Sequence, residues 1–152
     1  MTPPPLLLAA HGTRDPAGVA GFQALAARVA DLAGRDGIEV AGGFIELSAP
    51  PLRDAVTSLA STGPARIVAV PLMLVAAGHA KGDIPAALAR EQARHPGVRF
   101  TYARTLGPHP ALIELLDARA AAVAGDAPPA VLVVGRGSSR ALSGSAGRTP
   151  RW

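Results

Sequence analysis

The sequence predicts an α/β domain in which a parallel sheet carries helices on both faces. Short apolar runs of strand length alternate with longer segments of helical period, giving the order βαβαβαβα as far as residue 124. Two of those runs, Leu6–Ala10 and Ile67–Leu74, lead into a histidine soon after the strand, where an open α/β sheet presents its carboxyl edge to ligands. Apolar residues make up 49% of the chain, yet its aromatics are only Phe22, Phe44, Phe100, Tyr102 and Trp152. The core must therefore be built from Ala, Val, Leu and Ile, which suit closely packed layers.

Each element has its own signal. Leu6-Leu7-Leu8-Ala9-Ala10 is continuously apolar, as a strand buried on both faces should be, and His11-Gly12 ends it. Asp15-Pro16 starts a helix whose Val19, Phe22, Ala26 and Val29 share one face down to Gly34. A second strand is expected over Ile38 to Leu47, including Gly42-Gly43. Pro50-Pro51 then opens a helix with Leu52, Ala55, Val56 and Leu59 on one side, closed by Gly63-Pro64. Ile67 to Leu74 is the third strand, extending toward Val75. A helix from Ile84 to His95 follows, stopped by Pro96-Gly97; Val98 to Arg104 is a fourth strand, and His109 to Ala124 a fourth helix.

One unit spanning residues 1–125 is thus expected, long enough for a real core. After the linker Gly125-Asp126-Ala127-Pro128-Pro129, the segment Val131-Leu132-Val133-Val134-Gly135-Arg136-Gly137-Ser138-Ser139 repeats the form of Leu6 to Arg14: strand, small residue, basic residue, glycine, hydroxyl. Residues 126–139 therefore read as a linker and the first strand of an incomplete second unit. Residues 140–152, rich in Gly, Ser and Arg without apolar period, read as a disordered tail.

Composition narrows the function. The net charge of +4 suits an acidic ligand, but Lys81 is the only lysine and the arginines are scattered, so no nucleic-acid stripe is visible and few aromatics offer base stacking. The absence of cysteine removes disulfides, thiolate metal sites and a cysteine nucleophile, leaving histidines and carboxylates as metal ligands. There is no basic n-region or apolar run of spanning length, so neither a signal peptide nor a membrane segment is expected, and the cytoplasm is the default location.

The chemistry gathers at the strand exits. His11 and His79 follow the first and third strands, and a parallel sheet brings neighbouring exits within about 5 Å of strand spacing. Either histidine alone is equally well explained by hydrogen bonds to loop backbone; the pair at equivalent exits favours a shared divalent metal, with Glu46 as the carboxylate. Gly12, Thr13 and Arg14 precede a helix N-terminus and suit an anion. With Ser48, Gly78 and Lys81 they form the candidate substrate-binding set, and Arg53 is a further partner for substrate carboxylates. His95 reads as a helix-end residue complementing the macrodipole. His109, between two prolines after the fourth strand and so near the same edge, is read first as a structural residue, with a place on the rim of the site as the alternative.

Four segments carry a resemblance: LLLAAHGTRDPAG (Leu6 to Gly18), FIELSAPPLRDAV (Phe44 to Val56), VPLMLVAAGHAKGDIP (Val70 to Pro85) and VLVVGRGSS (Val131 to Ser139). Together, in this order, they resemble the sirohydrochlorin chelatase family, the cobalt- or iron-inserting class II chelatases of cobalamin and sirohaem synthesis. The resemblance implies a chelatase-like three-layer α/β/α fold with a four-stranded parallel sheet per unit, used as two fused units or as a short unit forming a homodimer. It implies that His11 and His79 are the metal-binding and catalytic histidines and that Glu46 is the acidic position of the same cleft. The metal, Co²⁺ or Fe²⁺ with Ni²⁺ also accepted by such ligands, is then a substrate; the partner is the tetrapyrrole sirohydrochlorin, and no organic cofactor is required. Where long members continue after GRGSS with Asp-Pro and a second unit, this chain has Arg140-Ala141-Leu142 and ends at Trp152.

Other readings remain open from the residues. A strand ending in His-Gly also begins a histidine-phosphatase type of site, which would make the protein a phosphate-binding or phosphoryl-transfer enzyme using His11. Against it, Ala10 stands where that site has an arginine. A non-catalytic metal or tetrapyrrole carrier is the third reading.

Overall fold

A computed structural model of the protein describes residues 2–74 and 82–124. Four strands, β1 (Leu6–Ala10), β2 (Val40–Phe44), β3 (Arg66–Pro71) and β4 (Arg99–Tyr102), form one parallel sheet in the order β2-β1-β3-β4. They alternate with α1 (Pro16–Gly34), α2 (Leu52–Ser61), α3 (Asp83–Arg94) and α4 (Pro110–Val123). The expected fold class is the observed one. A first compact unit ends at Pro110 and a second begins at Ala111, so α4 is described by itself. Gly78, His79 and Lys81, the repeat at Val131–Ser139 and the expected tail lie outside the described residues.

Neighbouring residues of a strand face opposite sides of the sheet, and β2 shows both layers. The Phe44 ring meets Phe22 of α1, with centroids 4.3 Å apart. Next to it, Gly43 faces α2 so closely that a Cβ would lie 2.7 Å from the Leu52 Cα. Helices therefore cover both faces.

The larger core lies on the α2 and α3 side. There Leu7 and Ala9 of β1, with Ile67 and Ala69 of β3, meet Leu52, Ala55, Val56 and Leu59 of α2 and Ile84, Ala87 and Leu88 of α3. All four α2 residues predicted to share a face are buried. On the opposite side Val19, Phe22, Ala26 and Val29 of α1 are only half-buried. Helix α1 starts as expected: Pro16 occupies its first turn, and Asp15 caps it by accepting from the Ala17 amide at 3.0 Å.

Three strands are shorter than the sequence predicts, and hydrogen bonds show why. The Ile38 amide closes α1 by donating to the Ala33 carbonyl, so β2 begins at Val40. Its far end turns back at Leu47, whose φ of 66° is the left-handed region, and the Phe44 amide donates to the Pro50 carbonyl. Strand β3 ends at Pro71 because β1 turns away at Gly12; only Leu72 still donates, to the Ala9 carbonyl. Val98 belongs to the turn after α3, donating to the His95 carbonyl, so β4 starts at Arg99. His95 itself is the C-cap of α3, as predicted.

Helix α3 also carries a buried charge that its apolar period does not announce. Glu91 is 4% exposed, and its Oε1 accepts from Arg94 at 2.6 Å. The Gln92 side chain staples the helix end to the sheet edge, donating to the Val98 carbonyl at 2.7 Å and accepting from the Phe100 amide.

Leu59 is fully buried at the centre of this core, so Leu59→Ala is expected to lower unfolding stability by about 2–5 kcal/mol. Urea denaturation measures this; a loss below about 1 kcal/mol would contradict the packing described.

Candidate functional site

The site begins where β1 and β2 run out together. Their register, Ala10 opposite Phe44, continues past both strands: the Ile45 amide donates to the Ala10 carbonyl at 2.9 Å and the Glu46 amide to the His11 carbonyl at 3.1 Å. This backbone pairing carries Glu46 to His11. The imidazole Nε2 and the carboxylate Oε1 are 3.2 Å apart, with His11 mostly enclosed (28% side-chain exposure) and Glu46 open at 56%.

Two further contacts lock that approach. Gly12 has φ 116°, and a Cβ on it would lie 1.8 Å from the Glu46 carbonyl oxygen. No other residue fits there. Ser48 then clasps Thr13 from across the bend, its Oγ accepting from the Thr13 amide at 2.9 Å and donating to the Thr13 carbonyl at 2.6 Å. The strained Leu47 sits between Glu46 and this clasp, a conformation that persists only where its surroundings impose it.

The predicted site residues thus separate by position. His11 and Glu46 are brought together as a pair. Gly12, Thr13 and Ser48 hold the two loops against each other, with Gly12 and the Ser48 hydroxyl packed into that contact. Arg14 is exposed at the start of α1 and makes no ion pair with a described residue. Arg53 lies 3.6 Å from Asp54 on the surface of α2. Among the described residues no group of three or more His, Asp or Glu side chains converges as a metal centre.

The pair nevertheless fits one metal ion. Bonds of about 2.1 Å from an imidazole nitrogen and a carboxylate oxygen to a common metal leave 3.2 Å between the donors at an angle of about 100°. Without metal, the same contact is a hydrogen bond that orients the ring. Neutral imidazole and carboxylate can thus hold a divalent ion or accept protons, with coordination positions left for a second partner.

Sequence reasoning missed Arg90 and Asp83. With Glu46 they line a cleft of about 200 Å³. The available signal was their spacing, seven residues on one helix face directly after the third-strand exit.

A sheet edge carrying a histidine and a carboxylate on neighbouring strand exits marks an α/β protein whose candidate site lies at the carboxyl edge of its sheet. The chain belongs to the CbiX family, whose profile matches residues 5–123. It is 30% identical over 139 residues to the sirohydrochlorin cobaltochelatase of Priestia megaterium, an alignment covering 88% of this chain and 44% of that protein. With the sirohydrochlorin cobaltochelatase of Sulfurisphaera tokodaii the identity is 33% over 114 residues, covering 75% of this chain and 88% of that protein. Among solved structures, the sirohydrochlorin chelatase SirB of Bacillus subtilis subspecies spizizenii, in complex with cobalt, superposes with a TM-score of 0.65 at 26% identity; 78% of this chain matches 50% of that one. Curated relatives carry both the cobaltochelatase and the ferrochelatase name, and this chain spans less than half the length of the longer ones. None of its described helices is long and apolar enough to cross a membrane.

Gly12→Ala is expected to push the Glu46 loop off His11. It should cost about 2 kcal/mol or more in thermal or urea unfolding. A variant of parental stability would show that the close approach is not maintained.

Proposed function

We propose that this chain inserts a divalent metal, Co²⁺ or Fe²⁺, into sirohydrochlorin. The observation that carries the reading is the His11–Glu46 pair, fixed at 3.2 Å on the carboxyl edge of the sheet by the continued β1–β2 pairing. Family membership supports it, as does a relative of similar length named as a cobaltochelatase. His79, on the segment between β3 and α3, is the proposed second histidine.

Insertion exchanges two pyrrole N–H bonds for bonds from nitrogen to metal, so two protons must leave. His11 either holds the incoming ion, both protons then passing to water, or takes one of those protons while the other passes to His79 or water; Glu46 stabilises the imidazolium that the second role creates. Both roles need a ring nitrogen lone pair: that of Nε2 to share a metal with Glu46, and that of Nδ1 to take a proton while Nε2–H donates to Glu46. Arg14, Lys81 and the backbone near Gly12 and Gly78 are the proposed partners of the substrate's carboxylates. A second copy of the unit, covering the open edge, and a cytoplasmic location belong to the same proposal, as does the reading of residues 126–139 as the start of a second unit.

Absorbance of sirohydrochlorin with Co²⁺ or Fe²⁺, with and without protein, tests the activity. His11→Ala and His79→Ala should each slow insertion about 100-fold or more, and Glu46→Gln about tenfold. Parental rates in both histidine variants would sink the assignment. Tetrapyrrole binding without any rate gain would instead mark a carrier.

A further inference from the structure

A second feature of the same sheet edge lies on the far side of the β3 exit from His11. Beyond β4 there is a hollow of about 990 Å³, walled by Pro85 of α3, Tyr102 and the chain from Ala103 to Pro110. Its floor is tied to the sheet. The Ala103 amide donates to the Ala69 carbonyl, and the Leu106 and Gly107 amides donate to the Met73 and Leu74 carbonyls at 2.9 and 3.0 Å. Strand order places β3 between β1 and β4. The hollow is therefore about 10 Å from the His11 strand, two strand spacings along one edge.

Its lining combines two chemistries. Pro85, Leu106, Pro108 and the Tyr102 ring present apolar surface, and partial burial raises the Tyr102 phenol above its usual range. Arg104 and His109, both exposed, add nitrogen donors. Arg104 has no carboxylate partner among the described residues. A volume of this size takes a large organic ligand, whereas a small inorganic anion would leave the apolar wall unused.

Resting on the function proposed above, we infer that this hollow seats one carboxylate-bearing flank of the tetrapyrrole. Arg104 and His109 donate to its carboxylates and Tyr102 lies against the ring edge, while the nitrogens that exchange protons for metal lie toward His11. Arg104 and His109 are thus specificity-determining residues that bind the substrate without touching the metal.

The test compares Arg104→Gln and His109→Gln with Arg104→Lys and with Arg28→Gln, an equal charge change on the exposed face of α1. In steady-state insertion assays Arg104→Gln and His109→Gln should each raise KM for sirohydrochlorin about tenfold with kcat held, the loss expected for one charge-assisted or polar contact made equally in ground and transition states. Arg104→Gln should also flatten the salt dependence of sirohydrochlorin binding, Arg104→Lys should restore most of the affinity, and Arg28→Gln should behave as parent. Co²⁺ binding without tetrapyrrole should be the same in all. Parental KM and salt dependence in Arg104→Gln and His109→Gln, in a protein that does insert metal, would overturn this inference alone. A parent that neither binds nor metallates sirohydrochlorin would overturn the proposed function and this inference with it.

Discussion

The parallel pairing of β1 with β2, carried to Glu46 beyond β2 and to His11 beyond β1, is the constraint on which the site depends. In a regular sheet the chains would part after Ala10 and Phe44. Here the Ile45 and Glu46 amides keep donating to β1 carbonyls, and the contact is so close that only a glycine at position 12 admits it. Ser48 seals it from the other side, with two hydrogen bonds to the backbone of Thr13. The geometry of His11 and Glu46 is thus set by backbone, which is stiffer than a pair of surface side chains finding one another.

That rigidity is backed by an asymmetric core. The α2 and α3 layer buries most of the fully enclosed side chains, including the four inward residues of α2, while α1 covers its face with half-buried ones. Both loops that meet at the site leave neighbouring strands, the central β1 and the edge strand β2, and β2 is packed closely on α2 at Gly43. The carboxyl edge lies outside that core, with the Glu46 side chain exposed on it.

Chemically, the edge is graded along the strand order. Glu46 and His11 at one end supply a carboxylate and an imidazole; Arg104 and His109 at the other supply donors beside apolar surface. An imidazole–carboxylate pair and a cationic, apolar hollow thus lie along one edge, and the proposed substrate is both a nitrogen ligand and a polycarboxylate.

Much of this was legible in the residues. The apolar run before His11, the Asp15-Pro16 helix start and the Leu52, Ala55, Val56, Leu59 face are local patterns, and the structure shows the strand, cap and buried stripe they imply. The strand ends were not legible, because Ile38 and Val98 have strand-like side chains whose amides are claimed by turns, and the Met73 and Leu74 carbonyls accept from Leu106 and Gly107, beyond the end of β4. Nor could sequence reveal that Ser48 and Gly12 hold two loops together, that Glu91 is a buried acid, or that Arg104 borders a large hollow. Sequence by itself determined which side chains are available and on which elements they ride, since period and capping act over a few residues. Only the tertiary structure decided which of them meet, because register, loop closure and strand order bring together residues such as Gly12 and Glu46 that no local pattern connects.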